Sequence, residues 1–292
     1  MKLLPLHNHQ DNDKIIAIVC NKRAGKGNAI AVLAHLQEKL LQINISHSVF
    51  DNELPENFDR FSAVWLVGGD GTVNFFINRF PHTRIPIALF KGGTGNDFAW
   101  KLYADKTIDE YLEIVLHTSA KKVDGGICNG RYFINGVGIG FDGEVVKAMG
   151  ANRILSGHIA YLLTVLKKIF FYREKEMIIQ TDKRSWNEKL FMLTVANGCR
   201  YGGGFLVAPQ ANINDGELDI VLIKKISRLL RLFYLPKVEK GKHTHLSIVE
   251  IDRAKRIEIR SPEILYGHLD GELMQADEFM IEILPQKFLF LY

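Results

Sequence analysis

The chain has 292 residues, a length that suggests two ordinary domains, and its 47% hydrophobic and 24% charged residues exclude a disordered or fibrous chain. The formal charge of +4 does not call for nucleic acid, yet it suits phosphate-rich ligands or an anionic bilayer surface. Residues 1–14 hold no apolar run of signal length, no stretch has the ~20 apolar residues of a membrane span, and Cys20, Cys128 and Cys199 read as reduced core thiols of a cytoplasmic protein.

Continuous apolar runs at 15–20, 45–50, 63–67 and 87–90 read as strands buried on both faces. Residues 28–41, 72–80 and 107–117 carry apolar side chains at helical spacing. Residues 1–122 are therefore expected to form an α/β nucleotide-binding domain with a mostly parallel sheet. Beyond them, strand-length runs at 132–135, 177–181, 190–196, 218–223, 256–260, 279–284 and 288–291 are separated by Gly, Asn and Asp. They predict a mostly β, sandwich-like domain over 123–292. One helical insert is expected at 154–172, where His158, Lys167 and Lys168 favour a packed helix over a membrane span.

Three of the first strands run into glycine-rich turns. The run 63–67 enters Gly68-Gly69-Asp70-Gly71-Thr72 and then a helix; 87–90 enters KGGTGND at 91–97; and 15–20 enters NKRAGKG at 21–27. In an open α/β sheet, ligands sit at the carboxyl ends of the strands, and free N–H groups at the next helix attract phosphate. Asp70 would repel phosphate unless a metal mediates, which argues for magnesium; alone it also reads as a turn or cap residue. The first turn lacks the Walker spacing, and GVGIG at 136–140 does not fit the dinucleotide fingerprint. Together the turns point to nucleotide binding.

GGDGTVN at 68–74, followed by GGTGND at 92–97, resembles the diacylglycerol kinase catalytic-domain family, which includes bacterial lipid kinases and the sphingosine and ceramide kinases. The likeness continues through 121–146, through 196–223 with its INDGE turn, and through HLDGE at 268–272. It implies a phosphofructokinase- and NAD-kinase-like first domain, a β-sandwich-like second domain, and an active site between them. The resemblance assigns the ATP site to Asn21, Lys22, Arg23, Ala24 and Gly25, to Gly68, Gly69, Asp70, Gly71, Thr72, Val73 and Asn74, and to Thr94. It assigns a magnesium network to Asp70, Asp97 and Asp124, and a structural magnesium to the Asp215 side chain with the carbonyls of Asn212 and Glu217. Glu272 corresponds to the family's general base, with Asp270 beside it as a second catalytic residue. The chain departs from the family where Lys22 replaces a common Pro and where 46–61 holds no Thr. Only 20 residues follow Glu272, so a C-terminal return to the first domain is expected to be brief or absent.

These assignments make an ATP- and magnesium-dependent lipid kinase the leading expectation, with Glu272 accepting the proton of a lipid alcohol. Residues 269–272 also read as a plain hairpin turn, and Asp70 is the competing base. A kinase of a soluble acceptor such as NAD and a silent nucleotide-binding regulator are the alternatives. Residues 224–256 interleave Lys and Arg with Leu229, Leu230, Phe233 and Tyr234, which fits either peripheral contact with the inner face of an anionic membrane or a helix with one solvated face. The expected partners are a lipid alcohol, that membrane surface and a second copy of the chain, without nucleic acid.

Overall fold

The structure, a computed structural model, describes residues 15–51, 53–151 and 158–292. The first half contains β1 (Ile15–Cys20), a short 3-10 turn (Ala24–Gly27), α1 (Asn28–Gln42), β2 (His47–Phe50), β3 (Phe61–Gly68), α2 (Asp70–Arg79), β4 (Ile87–Lys91), α3 (Asp97–Tyr103) and α4 (Ile108–His117). Its strands lie in the order β2-β1-β3-β4, and every pairing among them is parallel. Such strands are covered on both faces, which is why their sequences show no alternation. α1 packs Val32, Leu33, Leu36 and Leu40 onto the sheet, and α4 starts at a capping box between Thr107 and Glu110.

The second half contains β5 (Lys121–Cys128), β6 (Arg131–Phe133), β7 (Gly136–Gly140), α5 (Phe141–Ala151), α6 (His158–Ile169), β8 (Lys175–Thr181), β9 (Ser185–Ala196), β10 (Leu218–Lys224), α7 (Arg228–Glu239), β11 (Val249–Ala254), β12 (Arg256–Leu269) and β13 (Glu272–Phe290). Pairing within this half is antiparallel. β7 and β8 follow one another in the gap between β9 and β12. The centre of this sheet is buried on both faces, while β8, β12 and β13 leave one face partly exposed. Along β10, Leu218, Ile220 and Leu222 enter one core, while Val221 and Ile223 enter a second core beneath α5, α6 and α7. The expected helical insert begins partly outside the described residues and continues as α6. The glycine-rich β7 and the helix α5 were not anticipated, because GVGIG shows no side-chain periodicity to read.

The runs expected at 279–284 and 288–291 are one strand, β13, whose register shifts between Leu284 and Phe288. This strand is the C-terminal return. Phe288, Phe290 and Leu291 enter the core of the first half, Phe290 pairs with Ile87 of β4, and Tyr103 Oη donates to the Leu291 carbonyl at 2.6 Å. Cys20, Cys128 and Cys199 are free and buried. No helix among the described residues is long and apolar enough to cross a membrane.

Candidate active site

Because β1, β3 and β4 run parallel, their carboxyl ends bring the three glycine turns together. The turns touch backbone to backbone. Gly92 N donates to Gly68 O at 2.8 Å, and Asn21 N donates to Val67 O at 3.0 Å. A Cβ on Gly93 would run into the Cα of Gly69, and Gly25, at φ +58°, lies against the Gly92 carbonyl. No other residue type fits these two positions without displacing a neighbouring turn. Asn96 closes its own loop, accepting from Gly93 N at 3.0 Å and donating to Gly93 O at 2.8 Å.

Asn21, Lys22, Arg23, Gly71 and Thr72 line one cleft of about 300 Å³, together with Asp51 and Phe75. Asn21 Nδ2 donates to Thr72 Oγ1 at 3.3 Å, and its Oδ1 accepts from Arg23 N at 3.2 Å. Lys22 pairs with Asp51 at 3.0 Å. Ala24 and Gly25 form the following 3-10 turn, and Thr94 is exposed at the tip of the third glycine turn. Two expected nucleotide residues are placed elsewhere. Val73 belongs to the core, and Asn74 is buried, donating to Tyr132 O at 3.3 Å and Asp270 Oδ2 at 3.1 Å. Phe75, 55% exposed, was missed because it reads as one more apolar residue of an amphipathic helix.

The expected three-carboxylate network separates. Asp70 and Asp97 meet over Gly95, where a Cβ would stand 2.9 Å from Asp70 Oδ2 and 3.5 Å from Asp97 Oδ2. Asp70 accepts from Phe98 N at 3.1 Å; Asp97 accepts from Gly203 N at 2.9 Å, with Arg200 Nε 3.3 Å away. Burial raises the pKa of Asp70, and burial followed by the charge of Asp70 pushes Asp97 up to about 7. A half-buried and a buried carboxylate crowded in this way suit a hard divalent cation, whose charge would remove the repulsion.

Asp124 does not join them. Its oxygens accept from Gly216 N at 2.8 Å and Gln286 N at 2.6 Å, so it fastens the INDGE turn to β13. In that turn Asp215 accepts from Glu217 N at 3.2 Å, Asn212 accepts from Asn214 N at 3.2 Å, Glu217 pairs with Lys183 at 2.9 Å, and Arg253 lies 3.6 Å from Asp215. No group of three His, Cys, Asp or Glu side chains forms a metal cluster among the described residues. A cation at either place would therefore draw on backbone or ligand oxygens as well.

The hairpin between β12 and β13 turns at Asp270 (φ +50°) and Gly271 (φ +89°), as two-residue loops of this hand require. Asp270, expected as a second catalytic residue, is buried. Its carboxylate accepts from Ile134 N, Asn135 N and Gly136 N, each at 2.9 Å, and from Asn74 Nδ2 at 3.1 Å, which leaves it an anchor. Glu272 is exposed, and its Oε1 lies 3.1 Å from where a Cβ on Gly71 would stand. The structure thus brings Glu272 from the second half to the first turn of α2, where the helix dipole favours a carboxylate.

The family described as "Diacylglycerol kinase catalytic domain" matches residues 15–128, and "YegS C-terminal NAD kinase beta sandwich-like domain" matches 135–291. The chain is 29% identical over 238 residues to "Probable lipid kinase YegS-like" of Shewanella frigidimarina, covering 80% of this chain and 77% of that protein. It is 32% identical over 216 residues to a diacylglycerol kinase of Mycobacterium tuberculosis, covering 69% and 68%. Against the diacylglycerol kinase of Bacillus subtilis, identity is 28% over 219 residues, covering 73% and 72%. A crystal structure of a diacylglycerol kinase from Bacillus anthracis shares the fold, with TM-score 0.71 and 22% identity over 96% of this chain and 97% of that one.

The Asp70–Asp97 pair makes metal-free stability depend on pH. Asp97 titrates near 7 in the folded protein, against 3.8 for an ordinary aspartate. Its contribution to stability is therefore full below 3.8 and is lost as the pH rises through 7. In urea titrations with chelator, Asp97→Asn should gain stability relative to wild type between those limits and then level off. A difference independent of pH would contradict the shift.

Proposed function

The chain belongs to the diacylglycerol kinase catalytic-domain family, and on that premise we propose that it is an ATP-dependent lipid kinase in which the glycine turns hold the triphosphate and Glu272 takes the proton from a lipid alcohol. The observation that carries the reading is the position of the Glu272 carboxylate over Gly71. A hydroxyl held there lies beside both a proton acceptor and the amides that open α2.

ATP enters with its base end in the cleft of Asn21, Lys22, Arg23 and Phe75 and its phosphates over the turn at 68–72. Asp70 and Asp97 would hold magnesium, which supplies charge neutralisation at the transferring phosphoryl group. The alcohol oxygen bonds to the γ-phosphorus as the bond to the ADP oxygen breaks, and the alcohol proton passes to Glu272. The Asp215 carboxylate and the Asn212 and Glu217 carbonyls remain the donors for a second, structural magnesium, with Arg253 as the competing positive charge.

Two features favour a lipid over a soluble acceptor such as NAD. A cavity of about 70 Å³ lies under α5, α6 and α7, walled by Phe141, Val165, Phe191, Tyr201 and Leu235, and is suited to the start of an acyl chain. Outside it, α7 exposes Leu229 (71%) and Phe233 (72%) beside the exposed Lys225, Arg228, Lys237 and Lys240. Lys224, Arg231, Arg253 and Arg256 are committed to ion pairs with Glu188, Glu174, Asp219 and Glu282. The surface for an anionic membrane is therefore narrower than the sequence implies, and it centres on α7.

Glu272→Gln should lower turnover ~100-fold, while ATP affinity by calorimetry stays near wild type. Wild-type turnover in that variant, measured on a panel of lipid alcohols with NAD as control, would return the role to Asp70. Magnesium should raise the melting temperature of wild type more than that of Asp215→Ala; equal shifts would remove the second cation site. On flotation, the protein should follow anionic vesicles at low salt and release at high salt. Equal recovery with neutral vesicles would remove the membrane surface.

A further inference from the structure

We infer that His268, held by Asp142, is the positioning residue that aims Glu272, an inference that rests on Glu272 being the base. His268 lies in β12, opposite Gly138 of β7 on one side and Leu273 of β13 on the other. Its ring is buried, with Nε2 2.8 Å from Asp142 Oδ2 and Nδ1 3.2 Å from Gly271 N. A backbone N–H can only donate, so Nδ1 carries the lone pair and the ring proton sits on Nε2, facing the carboxylate. Two contacts thus fix one tautomer and one ring orientation.

The hairpin explains why this contact matters. In a two-residue turn the N–H groups of both central residues lie outside the strand ladder. Asp270 N is taken by the Gly136 carbonyl at 3.0 Å, and Gly271 N is taken by His268. The peptide that His268 holds is the last but one before Glu272. Without the Nδ1 acceptor, Gly271, which has no side chain, is free to rotate, and the Glu272 carboxylate moves with it. The surroundings are shaped for the pair. A Cβ on Gly138 would strike both His268 Nε2 and Asp142 Oδ2, and one on Gly143 would strike the Tyr266 carbonyl, so bare positions in β7 and α5 allow Asp142 to reach the ring. Asp142 also forms part of the wall of the apolar cavity, so one carboxylate adjoins both the proposed acceptor site and the support of the base.

Two substitutions separate the two nitrogen contacts. His268→Asn keeps an acceptor where Nδ1 stood and gives up Asp142; His268→Gln keeps a donor toward Asp142 and gives up the acceptor for Gly271. With ATP and dioleoylglycerol in mixed micelles, or the panel lipid turned over fastest, His268→Gln should lose about 10-fold to 100-fold in kcat. The KM for ATP should stay within about two-fold, and His268→Asn should keep most of the wild-type kcat. In a Glu272→Gln background, His268→Gln should cost little more, because both act through one group. Equal kcat in the two His268 variants, kcat that follows melting temperature alone, or losses that multiply in the double variant would each overturn the inference. Wild-type turnover in Glu272→Gln alone would instead remove the base reading on which it stands.

Discussion

One buried carboxylate ties together parts of the chain that lie far apart in sequence. Asp270 accepts from Asn74 on α2, and from three consecutive backbone N–H groups at 134–136. Its own N–H returns to the Gly136 carbonyl. α2 carries the glycine turn at 68–72 and the hairpin carries Glu272, so the separation of the α2 amides from the Glu272 carboxylate is set through Asp270. Burial raises its pKa and opposes its charge, while the four donors favour the charged form. Removing it would leave three buried backbone donors without partners, at about 1–3 kcal/mol each. The left-handed conformation of a non-glycine residue at 270, worth roughly 1–2 kcal/mol, is small beside that.

The glycine turns impose the complementary constraint. Their amides can gather around one anion only if the turns approach without side chains between them, and Gly25 against the Gly92 carbonyl and Gly93 against Gly69 are the tightest of these approaches. The same closeness crowds the acids that follow each turn, since Asp70 opens α2 and Asp97 opens α3. Burial first, and the charge of Asp70 second, raise the pKa of Asp97, and a cation held between the two carboxylates would oppose that rise.

The sequence made legible what local patterning controls. Parallel strands buried on both faces, their turns and the helices after them are written within windows of ten or twenty residues, and β1 to β4 appear where the apolar runs stand. Nothing local distinguishes a carboxylate that anchors from one that stays open to solvent. Asp270 and Glu272 are two residues apart in one turn, and only partners more than 130 residues away separate their roles. Asn74 reads as a nucleotide ligand because it follows the glycine turn, whereas the fold gives its amide Asp270 as a partner. Asp124 resembled a third metal ligand, but its donors come from Gly216 and Gln286, which the fold alone brings near. The β5 and β7 strands were hidden because their glycines carry no pattern; their function is to let Phe133, Tyr201 and His268 pack directly on the backbone.

β13 shows how the two halves share one geometry. A single strand starts at Glu272 beside α2 and ends at Phe290, buried in the core of the first half and paired with β4. Its beginning and its end are both fastened to the first half, one through the hairpin and the other through Phe288, Phe290 and Leu291. A lobe hinged only by a linker would have to find the position of the Glu272 carboxylate anew after each opening. Here the Glu272 carboxylate stands over Gly71 in the folded chain itself, so its orientation is part of the folding free energy.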